Sequence, residues 1–165
     1  MSVYTIGHSN HSWDTFKELL TANGIELLVD VRSRPVSRFA PFSNKRVFPE
    51  LLETVGIEYH FMGDSIGGRP HDQSLYDAEG KPDYCKMRDS DAFREGLEHL
   101  VKVTENVVTV MMCSEGEPTR CHRKLLIGVE LEERGVGVLH ILRDGRVVGE
   151  DAIGGVSGTQ GRLAL

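Results

Sequence analysis

The chain opens on a short apolar run at residues 3–6 closed by Gly7, which predicts a strand. Ser12 then precedes Trp13, Phe16, Leu19 and Leu20 at helical spacing, so Ser12 reads as an N-cap and Asn23-Gly24 as the stop. Residues 25–31 (IELLVDV) are too short and too continuous for an amphipathic helix and read as a strand buried on both faces. A short helix is predicted over 47–55, stopped by Gly56, and a third strand over 57–62. Residues 63–87 show no sustained period and carry Gly63, Gly67, Gly68, Pro70, Gly80 and Pro82; a loop this long inside a compact domain is usually functional or mobile. Ser90 or Asp91 caps a helix whose Phe93, Leu97, Leu100 and Val101 share one stripe. The run VVTVMM at 107–112 predicts another buried strand, 113–119 a loop, and 120–134 a helix ended by Gly135. A strand over 136–142, a turn at Asp144-Gly145 and a short strand over 146–148 follow.

Alternation of this kind predicts an α/β fold: a single three-layer domain with a mostly parallel sheet and helices on both faces. The domain is expected over 1–148, with a Gly-rich C-terminal tail over 149–165. A chain of 165 residues suits one such domain and buries a core without disulfide or metal staples. No stretch approaches the roughly 18 apolar residues of a membrane span, and the N-terminus has no basic segment followed by a long apolar run. Three cysteines argue against a disulfide framework and fit a reducing, cytoplasmic setting.

Charge changes this picture once it is placed along the chain. The total is −6, which alone argues against a general nucleic-acid coat. Residues 32–46 (RSRPVSRFAPFSNKR) nevertheless hold Arg32, Arg34, Arg38, Lys45 and Arg46 and no acid, a window of +5 that leaves −11 for the rest. Pro35, Pro41, Phe39 and Phe42 interrupt it and would stiffen and anchor a loop. A solvated basic loop and a confined anion site both fit.

Ligands of open α/β sheets bind beyond the carboxyl ends of the strands. Gly7, His8, Ser9, Asn10 and His11 follow the first predicted strand, and Asp30, Arg32, Arg34 and Arg38 the second. Gly63, Asp64, Gly67, Gly68 and Arg69 follow the third, and Cys113, Ser114, Glu115, Arg120, Cys121, His122 and Arg123 the fourth. Each has a structural as well as a chemical reading. His8 suits acid, base or phosphate-donor work at neutral pH, or a bond to nearby backbone. Asp30 orients His8 or pairs with Arg32. Gly67 and Gly68 permit close approach to a ligand or make a tight turn. Glu115 serves as a base near Cys113 or His122, or interacts with a helix dipole. Cys113 is a packed thiol or a nucleophile. Cys-loop-Arg designs in protein tyrosine phosphatases and rhodaneses use shorter intervals than the six residues between Cys113 and Arg120, and Glu115 and Glu117 would oppose an anion. Cys113, Cys121 and His122 could ligate zinc with His8 or His11, although the spacing matches no common structural pattern. A Cys113–Cys121 redox pair is equally open. Cys85 has no companion and reads as non-functional.

Thr5-Ile6-Gly7-His8-Ser9, Val29-Asp30-Val31-Arg32, Pro35-Val36-Ser37-Arg38-Phe39, Gly67-Gly68-Arg69, Met112-Cys113-Ser114-Glu115 and Cys121-His122-Arg123 together resemble the domain of unknown function 488 family. The resemblance extends from near the first residue to the Asp144-Gly145 turn. It implies a small prokaryotic, cytosolic α/β protein and supplies no reaction. The motif residues carried over are His8, Ser9, Asp30, Arg32, Arg38, Cys113, Glu115, Cys121, His122 and Arg123.

The leading expectation is an anion or phosphate site acting on a nucleotide or nucleic acid. In it Arg32, Arg34, Arg38 and Arg123 hold phosphate, His8 or His122 moves a proton, Glu115 assists and Cys113 is a possible nucleophile. Ser9, Asp30, Gly67 and Gly68 support them. The alternatives are a non-catalytic nucleic-acid module that stacks bases on Phe39 and Phe42, and a thiol or metal site of Cys113, Cys121 and His122. No phosphate-loop or dinucleotide fingerprint is present, so no cofactor is assigned, and neither is an oligomeric state.

Overall fold

The computed structural model describes residues 1–154. The elements are β1 (Ser2–Gly7), α1 (Trp13–Ala22), β2 (Leu27–Asp30), α2 (Phe48–Glu53), β3 (Glu58–Phe61), α3 (Gly63–Ile66), α4 (Tyr84–Asp89), α5 (Asp91–Thr104), β4 (Thr109–Cys113), α6 (Val129–Glu133), β5 (Gly137–Ile141), β6 (Val147–Gly149) and α7 (Glu150–Gly154). They build one six-stranded sheet in the order β3-β2-β4-β1-β5-β6. Every neighbouring pair is parallel except β5 and β6, which form an antiparallel edge. This is the predicted three-layer α/β domain.

The continuous apolar strands are explained by cover on both faces. Successive side chains alternate sides, so Leu28, Val110, Met112 and Ile6 meet Phe16 and Leu20 of α1 and Phe48 and Leu52 of α2. Leu27, Val29, Met111 and Val138 meet Phe93, Leu97 and Leu100 of α5 and Leu126, Ile127 and Leu131 on the opposite side. Each such leucine or phenylalanine contributes about 1.5–3 kcal/mol through burial. The predicted caps form: Ser12 accepts from the Thr15 N–H, Ser90 accepts from the Phe93 N–H, and Asn23 closes α1 ahead of Gly24 at φ +65°.

Two segments depart from expectation. Residues 63–87 contain α3, a 3-10 turn at Gln73–Leu75 capped by Asp72, and the start of α4 capped by Asp83; these short helices are too brief to show a hydrophobic period. The helix expected over 120–134 is instead a 3-10 turn at Pro118–Arg120, a π-helical segment at Arg123–Gly128 and then α6. The wide turn takes both Arg123 and Lys124 into the interior. At the C-terminus, the expected 148/149 boundary falls inside β6. Glu150 directly after it pairs with Lys124 (2.8 Å) and accepts from His140 Nε2 (2.5 Å). The remainder of the predicted tail, 155–165, lies outside the described residues.

Candidate functional site at the carboxyl edge of the sheet

The central strands β1 and β4 carry their pairing past their ends. The His8 N–H donates to the Cys113 carbonyl (2.9 Å) and the Ser9 N–H to the Ser114 carbonyl (3.0 Å). Gly7 makes this possible, because a Cβ there would overlap the Glu115 carbonyl. Ser9 has φ +47°, the one positive value for a non-glycine among the described residues. Such strained turns concentrate at ligand sites.

Beyond these ends lies an open cleft of about 670 Å³, lined by His8, Ser9, Arg38, Phe39, Ser114–Gly116 and Arg143. His8 is buried at its base. Its Nδ1 lies 2.9 Å from the Ser9 carbonyl, which can only accept, so the proton sits on Nδ1. Nε2 is thereby an acceptor, and it is buried with no hydrogen-bond partner among the described residues. Burial, with the Arg32 charge adding to it, holds His8 below its ordinary pKa and keeps the ring neutral. Arg143 Nη1 donates to Ser9 Oγ (3.2 Å). Arg38 lies over the Phe39 ring at 5.2 Å, and Phe39 is 68 % exposed. The exposed Glu115 side chain borders the same cleft.

Directly behind the cleft wall is a buried polar cluster. Cys113 Sγ and Cys121 Sγ are 2.7 Å apart. Arg123, fully buried, donates from Nη1 to Cys113 Sγ (2.8 Å) and to the Glu115 carbonyl, from Nη2 to the Gly116 carbonyl (3.2 Å), and from Nε to Thr5 Oγ1 (3.2 Å). Thr5 Oγ1 is hydrogen-bonded to His140 Nδ1 (2.6 Å), which links the cluster to Glu150 and Lys124. Burial alone would raise the Cys113 thiol, but the Cys121 hydrogen bond and the Arg123 guanidinium bring it down to about 7. The same Cys113 bond, together with burial, pushes Cys121 up and keeps it protonated. His122 Nε2 donates to the Val31 carbonyl (3.0 Å), so its Nδ1 is the free acceptor, 3.7 Å from Cys121 Sγ. Burial drives His122 down to about 4. Gly68 sits over this ring, where a Cβ would meet His122 Cγ at 2.9 Å, and Gly67 packs in the same way on Ser33. Both glycines therefore serve close packing in the protein itself.

Two of the four arginines expected to hold phosphate are already committed. Arg32 is buried and bidentate on Asp30 (Nε–Oδ1 2.9 Å, Nη2–Oδ2 2.8 Å), and it also donates to Ser43 Oγ and the Ser43 carbonyl. Tyr59 donates its hydroxyl to the same carboxylate (2.7 Å). Asp30 thus holds Arg32 in place rather than orienting His8. Arg123 is spent on the thiol cluster. Arg34 is exposed and does not border the cleft, which leaves Arg38 at the cleft. The expected Phe39/Phe42 stacking pair does not form either: Phe42 packs inward on Trp13, Phe16 and Phe48. His122 opens onto Cys121 rather than the cleft. Among the described residues, no group of three or more His, Cys, Asp or Glu side chains is arranged to hold a metal ion.

Arg143 is the site residue that sequence reasoning missed. It stands two residues past β5, so extending the strand-end survey to that last parallel strand would have found it. No helix of the described residues is long and apolar enough to cross a membrane.

Comparison with curated proteins gave no match, and comparison with solved structures gave none. The family model described as "Domain of unknown function DUF488" matches residues 12–129, which include the Asp30/Arg32, Arg38, Gly67-Gly68 and Cys113–Arg123 positions but not His8 or Ser9. With most of its length matched, this chain belongs to the DUF488 family.

Proposed function

We propose that the cleft binds a phosphate-bearing ligand, with Arg38 and Arg143 holding the phosphate oxygens and His8 Nε2 acting as the proton acceptor. One observation carries this reading: His8, whose buried Nε2 has no partner among the described residues, lines a cleft that is also bordered by two guanidinium groups. An unpaired buried acceptor costs about 1–3 kcal/mol, a cost removed when a ligand hydroxyl or an attacking water donates to it. The depressed His8 pKa leaves the ring ready to accept at neutral pH. Among the described residues, Arg38 is exposed and unpaired by any carboxylate, and Arg143 holds only Ser9 Oγ. Glu115 faces the same space and would assist proton movement.

Binding of inorganic phosphate and of nucleoside monophosphates, followed by calorimetry, tests the reading. Arg38→Ala and Arg143→Ala should each weaken binding about tenfold, as expected for loss of a charge-assisted hydrogen bond. Unchanged affinity in both would overturn it. The exposed Phe39 beside Arg38 favours a nucleotide over a simple phosphate, through stacking on a base. Phe39→Ala should therefore reduce affinity for the nucleotide and leave that for inorganic phosphate intact.

A further inference from the structure

Arg123 presents a problem of charge that the cleft does not solve. It is fully buried, and among the described residues no carboxylate reaches it. Arg32, the other buried guanidinium on this edge, shows the usual arrangement, a bidentate carboxylate. Around Arg123 stand a hydroxyl, two backbone carbonyls and one sulfur. Carbonyl and hydroxyl dipoles solvate a cation but do not neutralise it. The one acidic group in contact is the Cys113 thiol at 2.8 Å, and a second thiol, Cys121, lies 2.7 Å from it. The two cysteines come from opposite ends of the loop that follows β4. Cys121 stands two residues before the π-helical turn, a feature frequent at functional sites.

We propose that Cys113 and Cys121 form a peroxide-reactive dithiol, in which Arg123 holds Cys113 as the attacking thiolate and Cys121 resolves the product to a disulfide. Burial selects the oxidant class. Cys113 is 3 % and Cys121 6 % exposed, so an oxidant little larger than water, a small hydroperoxide, fits where a bulky disulfide does not. The Cys113 sulfur attacks the terminal oxygen of the hydroperoxide. The S–O bond forms, the O–O bond breaks, and its electron pair leaves on an alkoxide or hydroxide that takes a proton from solvent. The Cys121 sulfur then attacks the Cys113 sulfenic acid. The S–S bond forms, the S–O bond breaks, and the Cys121 proton leaves with the hydroxyl as water. His122 Nδ1, the unprotonated nitrogen of its ring, faces Cys121 Sγ and is placed to take that proton in passing. Two thiols are oxidised and one hydroperoxide is reduced.

The test uses the full chain carrying Cys85→Ser, which removes the exposed third thiol, fully reduced and then given stoichiometric hydrogen peroxide. The folded protein should lose both thiols, lose about 2 Da and yield a linked Cys113–Cys121 peptide. It should do so at least about tenfold faster than the same protein in urea, and a bulky aromatic disulfide should reverse that order. Adding Cys121→Ser should leave a Cys113 sulfenic acid that a 1,3-dicarbonyl reagent captures, while adding Cys113→Ser should leave Cys121 unoxidised. Arg123→Lys, which keeps a charge, should retain more of the rate than Arg123→Met. The proposal fails if folded protein reacts no faster than unfolded, if the captured adduct is absent in the Cys121→Ser protein, or if Cys121 is oxidised without Cys113.

Discussion

Replacing Arg32 by alanine should destabilise the fold severely, although Arg32 sits in a basic loop that looks made for ligands. The guanidinium makes two contacts to Asp30 and two to Ser43, and both Arg32 and Asp30 are buried. Removing it leaves a carboxylate inside the protein without its counter-charge, a change that costs about 3–5 kcal/mol. Asp30 retains the Tyr59 hydroxyl (2.7 Å) and the residue-32 N–H (3.1 Å), which places the loss near the lower end, about 3 kcal/mol. At roughly 2–4 °C per kcal/mol for a domain of this size, the melting point should fall by about 6–12 °C. Urea denaturation gives the number directly, provided the m-value is unchanged. Arg38→Ala, a change at an exposed side chain, should stay within about 0.5 kcal/mol of the parent. The double change Asp30→Asn with Arg32→Met should recover much of the loss, because neither charge then remains unpaired. An Arg32→Ala protein within about 1 kcal/mol of the parent, or an Arg38→Ala protein as unstable as Arg32→Ala, would refute the division of the loop into a structural and a ligand-facing arginine.

Acid should weaken the fold through His122. Its folded pKa of about 4 lies below the ordinary value of 6.5, so the unfolded chain binds the proton first. The stabilisation is therefore complete above about pH 6.5 and is lost as pH falls toward 4, up to roughly 3 kcal/mol. Urea midpoints of the parent and His122→Asn proteins should converge across that window, and parallel curves would rule this out. His8, depressed in the same direction, should add to the slope. Glu150→Ala should cost about 2–3 kcal/mol in thermal denaturation, because it strips the counter-charge from the buried Lys124 and the partner from His140.

The parts of this fold legible in the sequence are those governed by local physics. Ser12 and Ser90 announce helix starts because a hydroxyl there meets orphan N–H groups. The runs at 25–31 and 107–112 announce buried strands because both their faces are covered. Strand order is set by where the crossovers land, which no local pattern records. Direction of burial was equally hidden. Arg32 and Arg38 look alike in a count of charges, yet one closes on Asp30 across two residues and the other points to solvent. Phe39 precedes the 3-10 turn at Pro41–Ser43 and stays exposed, whereas Phe42 lies within that turn and packs inward on Phe16. Glu150 lies past the apparent end of the domain and is tied back by a lysine and a histidine distant from it in sequence.

The charge balance of the site follows from these burials and bears on its ligand. The +5 of residues 32–46 is not presented as one surface: Arg32 is neutralised internally, and of the remaining cations Arg38 alone borders the cleft, where Arg143 joins it. Arg123, outside that window, is turned toward sulfur and carbonyls. An acidic chain of net −6 thus borders the cleft with two guanidinium groups, while its overall charge disfavours a general coat on a polyanion. A protein that neutralises two phosphates has a salt slope of about −2 in log affinity against log salt, or roughly tenfold over a fourfold change in salt. A protein that coats nucleic acid through six to ten phosphates loses about a thousandfold or more over the same range. Titration of a short oligonucleotide and of a mononucleotide at two salt concentrations therefore separates the two. Similar shallow slopes support a confined pocket. A steep slope for the oligonucleotide would mean that Arg34, Lys45 and Arg46 also take part and that the ligand extends beyond the cleft.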